Sequence, residues 1–248
     1  MIRTQGITKI YSDFQALHPL DLHVLPGEVF GFLGPNGAGK TTTIRILAGV
    51  LPPTSGQLWI DGIDMAADPV GAKRRIGYIP DRPYLYEKLT GREMLRFVGG
   101  LYNMDPALIE ERSQRLLTFH SLGEFADRLI EGYSHGMKQR LSLSAALLHE
   151  PRLLIVDEPM VGLDPRGAQQ IKGVFREVVE QGRTIFLSTH SLDVAQQVCD
   201  RLAIIHRGRI VAAGTYEEIR AQQGNDAGSL EEVFLRILNE QSDVQVEA

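Results

Sequence analysis

Residues 34–41 read GPNGAGKT and follow the apolar run Val29-Phe30-Gly31-Phe32-Leu33. A G-x-x-x-x-G-K-T loop behind a buried-strand pattern restricts this part of the chain to strand, tight loop and helix, in that order. Glycines let the loop backbone curl so that N–H groups point inward, and the helix starting near Gly39 turns its positive end the same way. Such a cradle fits phosphate oxygens. Lys40 is placed to reach the β- and γ-phosphates of a nucleoside triphosphate, and Thr41 to offer its hydroxyl to Mg²⁺. The expected nucleotide contacts are Gly34, Asn36, Gly37, Ala38, Gly39, Lys40, Thr41 and Thr42.

The remainder of the chain narrows the class. At 248 residues, 43% hydrophobic and 23% charged, it reads as ordinary globular material with room for one large domain and a subdomain. A net charge of -5 argues against a nucleic-acid partner, which needs clustered Lys and Arg. The basic cluster Lys73-Arg74-Arg75 reads as a solvated helix face. The single cysteine, Cys199, excludes an internal disulfide and falls at an apolar position of a helical pattern with Leu192, Ala195 and Leu202, as a core thiol would. No stretch has signal-peptide character or approaches the roughly 18 to 20 apolar residues that span a bilayer. The expectation is a cytoplasmic protein whose membrane role, if any, comes through a partner.

Apolar alternation around Ile7, Ile10, Leu20, Leu22 and Val24 predicts strands ahead of the phosphate loop. The helix after the loop, with Ile44, Ile46, Leu47 and Val50 as its apolar residues, is expected to end before Pro52-Pro53, and a short strand at Gln57–Asp61 follows. From about Pro80 to His149 the pattern is helical, then short buried-strand runs return at Leu153–Val156 and Thr184–Leu187. The fold class is therefore α/β: a P-loop NTPase core with a parallel sheet, an N-terminal antiparallel β subdomain and an inserted helical subdomain. The domain that carries the phosphate loop is expected over 1–223, with the helical insertion at about 81–149. Residues 224–248 read as a linker (Gly224–Gly228), an amphipathic helix opened by the Ser229/Glu232 capping box, and a short tail. Leu230, Val233, Phe234, Ile237 and Leu238 give that helix one apolar face, which must pack on something.

Two more strand ends carry candidate chemistry. Asp157 and Glu158 close the run Leu153-Leu154-Ile155-Val156, at the edge of an α/β sheet where ligands bind. Asp157 can hold Mg²⁺ through its water shell, and Glu158 can polarise a water for attack on the γ-phosphate. The second strand ends in Ser188-Thr189-His190, and His190 there can donate to the γ-phosphate and stabilise the charge that moves onto it.

Taken with Tyr133-Ser134-His135-Gly136-Met137-Lys138-Gln139 and Gly162-Leu163-Asp164-Pro165, these motifs resemble the ATP-binding subunit of an ABC transporter over nearly the whole chain. The YS-x-GM-x-x-R pattern ending at Arg140 and the SLEEVFL segment at the C-terminus are most similar to the drug and antibiotic export branch. The resemblance implies ATP and Mg²⁺ as ligands and a head-to-tail pair of ATPase subunits, a homodimer in the simplest case. Each ATP would be clamped between the phosphate loop of one subunit and the Ser134, His135, Gly136 and Met137 turn of the other. It implies that Tyr11 stacks on adenine and that the loop bearing Asp164 crosses to the opposite site. Asp81 stands where the family usually has glutamine, and would retain contact with Mg²⁺ or its water. His135 stands where the family commonly has glycine, and is expected to face solvent. Around Tyr84, Leu85, Tyr86 and Leu89 the resemblance implies a docking surface for an integral membrane permease, which would hold the subunit at the inner face of the cell membrane. The alternative is a soluble ABC-type ATPase that remodels a protein or ribosomal complex. A regulatory module without turnover is disfavoured by the presence of Glu158 and His190.

Overall fold

The computed structural model describes residues 1–82, 84–160, 165–222 and 231–236. The chain opens with the hairpin β1 (Ile2–Tyr11) and β2 (Phe14–Val24), then runs through β3 (Val29–Leu33) and α1 (Lys40–Leu47). Next come β4 (Ser55–Ile60), β5 (Ile63–Asp64), α2 (Pro69–Arg74) and β6 (Ile76–Ile79). Helices α3 (Gly91–Leu101), α4 (Pro106–Phe119) and α5 (His135–Leu147) precede β7 (Leu153–Asp157). The chain continues through α6 (Pro165–Glu180), β8 (Thr184–Thr189), α7 (Leu192–Val198), β9 (Arg201–His206), β10 (Arg209–Gly214) and α8 (Tyr216–Gln222). Residues 231–236 are helical.

Two sheets organise these elements. The first is antiparallel, in the order β2-β1-β4-β5; the second runs β10-β9-β3-β8-β7-β6 and is parallel except at the β9/β10 edge. The central strands β3, β7 and β8 are buried along their whole length because both faces of the second sheet are covered. Alternate side chains serve different cores, as a period of two demands. Phe30, Phe32, Leu153, Ile155 and Phe186 pack with α1 against the antiparallel sheet, whereas Val29, Leu154, Val156, Ile185 and Leu187 pack against residues of α3, α4, α5 and α6. The helical segment α3–α5 lies in sequence between β6 and β7, which are adjacent in the sheet.

Local chemistry sets the helix starts. Thr90 and Glu93 form a reciprocal capping box on α3, Asp105 caps α4 with Pro106 at its first position, and Ser134 and Ser191 cap α5 and α7. Helix α1 differs: Gly39 precedes it at φ +110 and no side chain caps it.

The structure departs from the sequence expectation in three places. Helix α1 ends at Leu47, with Gly49 at φ +67 supplying the break ahead of Pro52-Pro53, so Val50 lies outside it and is exposed. Leu202 does not share a helix with Cys199: α7 stops at Val198, Cys199 is its extended cap, and Leu202 belongs to β9. The pair β9/β10 was not anticipated at all. Its turn, Arg207-Gly208, has φ +46 and +75, the mirror-image conformation whose twist matches the flanking strands. At the C-terminal end, Val233 is fully buried and Phe234 partly so, against Leu33, Ala195, Leu202, Ile204 and Ile219. That part of the expected apolar face thus packs on the domain itself, while the linker, Ser229 and the tail lie outside the described residues.

Two histidines in this architecture couple stability to pH. His120 shares a 2.7 Å hydrogen bond with Ser144, and His149 stacks on Tyr102 at 3.7 Å while its Nε2 lies 3.0 Å from the Ile76 carbonyl. Burial pushes each imidazole down to about 4 from the ordinary histidine value. As pH falls from about 6.5 toward 4, the unfolded chain therefore takes up protons that the native one does not, and stability is lost. The expected slope is up to about 1.4 kcal/mol per pH unit for each histidine. Urea unfolding at pH 7 and pH 5 checks this: the midpoint should fall at pH 5, and His149→Gln should flatten the dependence.

Candidate nucleotide site

Three parallel strands bring their C-terminal ends to one edge: β3 delivers the glycine loop, β7 delivers Asp157 and Glu158, and β8 delivers Ser188, Thr189 and His190. The loop's tight path leaves no room for side chains at two glycines. A Cβ on Gly34 would stand 2.3 Å from the Ile205 carbonyl oxygen, and one on Gly39 would stand 2.8 Å from Leu17 Cδ2. Ala38 is buried and its carbonyl accepts from Gly208 N at 2.8 Å, so the β9/β10 turn props the loop from below. Asn36, Gly37 and Thr41 are exposed, and Thr42 is half-buried. The first-turn N–H groups of α1 have no intrahelical acceptor, and the helix has no capping side chain, so its positive end is open to an anion.

Lys40 folds over this loop. Its Nζ donates to the Gly34 carbonyl at 2.7 Å and the Pro35 carbonyl at 3.1 Å. Burial lowers its pKa, an effect opposed by the negative charges of Glu158 and Asp157. The ammonium is thus held at the mouth of the loop in a place where an anion would relieve its desolvation.

Asp157 is 3% exposed and sits across the sheet from Ser188. Burial raises its pKa; the Ser188 hydroxyl opposes the rise, and the charges of Asp81 and Glu158 add to it. No cation lies within salt-bridge range of it among the described residues. A buried carboxylate with further carboxylates near and no ion-pair partner fits a divalent cation. Among the described residues no three His, Cys, Asp or Glu side chains converge as a metal cage. The donor set therefore suits a cation that shares its coordination with phosphate oxygens and water.

Glu158 adopts φ +50, a left-handed conformation uncommon for a residue with a side chain. The turn is pinned by its N–H donating to the Ser188 carbonyl at 3.0 Å. Its two carboxylate oxygens are both engaged: His190 Nδ1 lies 2.7 Å from Oε1, and Thr189 Oγ1 donates to Oε2 at 3.3 Å. His190 is largely exposed on its other side. The sequence placed Glu158 and His190 at separate strand ends; the structure joins them directly. Thr189 was missed, although its position on the strand next to Glu158 follows from the parallel register.

The remaining expected residues lie farther out. Tyr11 is 42% exposed at the β1/β2 turn, with Lys9 Nζ 5.3 Å from its ring centre, and the exposed Phe14 pairs with it across the hairpin. Asp81, just after β6, is exposed. Ser134 and His135 are exposed at the start of α5, where Ser134 Oγ accepts from Met137 N at 3.3 Å; Gly136 and Met137 are half-buried. Asp164 lies outside the described residues. Tyr84 and Tyr86 face solvent, whereas Leu85 and Leu89 pack on the helical core; Phe97 and Leu101 of α3 extend the exposed set, with Phe97 edge-on to Tyr86 at 5.2 Å.

A glycine loop, an uncapped helix and a buried lysine at the C-terminal edge of a parallel sheet define a P-loop nucleotide-binding fold. Residues 17–161 match the ABC transporter family, and the chain belongs to it. It is 40% identical to the daunorubicin/doxorubicin resistance ATP-binding protein DrrA of Streptomyces peucetius, over 99% of this chain and 73% of that protein. A solved ATP-binding subunit of an ABC transporter matches with a TM-score of 0.90 at 35% identity, covering 96% of this chain and 99% of the other. A dimeric ATP-binding cassette in a post-hydrolysis state, bound to ADP and Pi, matches with a TM-score of 0.80 at 25% identity, covering 87% and 98%.

Proposed function

We propose that this chain is the ATP-hydrolysing subunit that powers a separate integral membrane permease, in the direction of export, with ATP sandwiched between two copies arranged head to tail. The observation that carries the reading is the single sheet edge where the loop and Lys40, the buried Asp157, and the Glu158–His190 pair at 2.7 Å converge. The relatives that match the chain include drug-resistance ATP-binding proteins, and a matched cassette is dimeric with ADP and Pi.

In this reading the loop N–H groups and Lys40 hold the phosphates, with Lys40 exchanging its carbonyl partners for phosphate oxygens. Thr41 and Asp157, with Asp81 beside them, would hold Mg²⁺, which supplies charge compensation between phosphate oxygens. Glu158 takes a proton from a water as its oxygen bonds to the γ-phosphorus and the bond to the bridging oxygen of ADP breaks. His190 keeps Glu158 in place by donating from Nδ1, and in its protonated form it also carries an N–H on Nε2 that donates to the γ-phosphate. Tyr11 gives the adenine a face to stack on. Ser134 and the N-terminus of α5 complete the site of the opposite copy, and the segment bearing Asp164 links the two sites.

Among the described residues no helix is long and apolar enough to cross a membrane, so coupling to transport requires a partner. The exposed Tyr84 and Tyr86, on the segment that connects the nucleotide edge to the helices, and the exposed Phe97 and Leu101 of α3 supply an apolar surface for it. The subunit would then sit on the cytoplasmic face of the membrane. The test is a mild-detergent affinity pull-down of the Glu158→Gln protein with ATP and Mg²⁺. A polytopic membrane protein among the partners is expected, and its absence alongside ribosomal or other soluble partners would favour a remodelling ATPase instead.

A further inference from the structure

The N-terminal ends of β7 and β8, opposite the nucleotide edge, gather three guanidinium groups about one carboxylate, with a fourth arginine beside them. Arg112 and Arg115 project from α4, Arg152 immediately precedes β7 and Arg183 immediately precedes β8. Glu150 stands among them: its Oε2 accepts from Arg112 Nη2 at 2.5 Å, its Oε1 from Arg115 Nη2 at 3.1 Å, and Arg183 Nη2 is 3.9 Å away. The Arg152 carbonyl accepts from Thr184 N at 2.9 Å, so Arg152 and Arg183 are lateral neighbours across the parallel ladder. Arg152 is exposed and has no carboxylate within salt-bridge range among the described residues. Four guanidiniums against one carboxylate leave a surplus of three positive charges, in a chain whose net charge is -5.

A purely architectural role accounts for only part of this cluster. Arg112 ties α4 to the end of α5 by donating to the Leu148 carbonyl at 3.1 Å and to Glu150, and needs no help to do so. Arg183 is largely buried, and its guanidinium is pulled below its ordinary range by that burial and, beyond it, by Arg112, Arg115 and Arg152; Glu150 is the acid that opposes them. His149, next in the chain, is held neutral by burial and adds no charge. Like charges brought together at a partly buried sheet end repel, and a bound anion removes the repulsion. Planar guanidinium forks match the oxygens of a phosphate group.

We propose that Arg115, Arg152 and Arg183 form a second anion site that takes a phosphate group, from a free phosphate or from a lipid headgroup, at the sheet end away from the nucleotide. Arg152 and Glu158 flank the two ends of β7, six positions apart, so the two sites stand about 20 Å apart.

Inorganic pyrophosphate is titrated calorimetrically into Lys40→Ala protein, which disables the phosphate loop, and into the same protein carrying Arg115→Ala and Arg152→Ala. A parallel arm sediments both proteins with phosphatidylcholine vesicles with and without phosphatidic acid. Binding in either arm that weakens at least about tenfold in the arginine variant supports the site. Pyrophosphate binding assigns a free phosphate as the source, and binding to phosphatidic acid vesicles alone assigns a lipid. No binding in either arm, or equal binding by both proteins, overturns the proposal. Both substituted arginines are exposed; should the double change impair folding by circular dichroism, Arg152→Ala, which breaks no ion pair, carries the test.

Discussion

Replacing Glu158 by glutamine is expected to lower ATP turnover by about 10² to 10⁴-fold while ATP affinity stays within about twofold. The substitution changes little except basicity. Glutamine keeps the length of the side chain and tolerates the left-handed turn as well as glutamate does, so the backbone at φ +50 and the Ser188 contact persist. The amide oxygen can still accept from His190, which lies 2.7 Å from the carboxylate. The amide nitrogen can donate to the Thr189 hydroxyl, which sits 3.3 Å from the other oxygen and is able to accept as well as donate. What is lost is the group able to take a proton from water. In the proposed site phosphate binding would rest on the loop and Lys40, which the substitution leaves untouched. Steady-state phosphate release and equilibrium binding of a fluorescent ATP analogue separate the two effects; equal turnover in the variant would remove Glu158 from the role of base.

Removing the Lys40 side chain is expected to have the opposite signature. Lys40→Ala should weaken ATP binding by about 10²-fold, the size of effect expected when charge-assisted contacts to phosphate are lost. The apo protein should keep its thermal midpoint. In the unliganded loop Lys40 satisfies two carbonyls but is itself desolvated, and these contributions oppose one another. The readout is the shift in thermal midpoint on adding nucleotide. At ATP concentrations 100 times the wild-type dissociation constant, binding stabilises the native state by about 2.7 kcal/mol, whereas the variant should gain only about 0.4 kcal/mol. A variant that still gains the full shift would show that phosphate affinity comes from the backbone cradle alone.

The sequence made the nucleotide edge legible because its parts are short and contiguous. The glycine spacing behind an apolar run and the acids closing another such run each say where a strand ends. The run at Leu202–Ile205 was equally apolar, yet a helical period through Leu192, Ala195 and Cys199 masked it; the turn at Arg207-Gly208 was the available signal. What the sequence could not supply was pairing between distant segments. That Glu158 and His190 share a hydrogen bond depends on β7 and β8 lying side by side in parallel. The convergence of Arg152 and Arg183 has the same origin at the other end of the same two strands. Residues that act across a sheet become visible only when strand order is known.

The most direct test of the proposed sandwich is the mass of the Glu158→Gln protein by size-exclusion chromatography with light scattering, in ATP and Mg²⁺ against ADP and Mg²⁺. The account predicts a dimer with ATP, a monomer with ADP, and a monomer in both when Ser134→Arg is added, because that side chain would occupy the place of the opposite phosphate. A monomer at saturating ATP, or a dimer that survives Ser134→Arg unchanged, would contradict it.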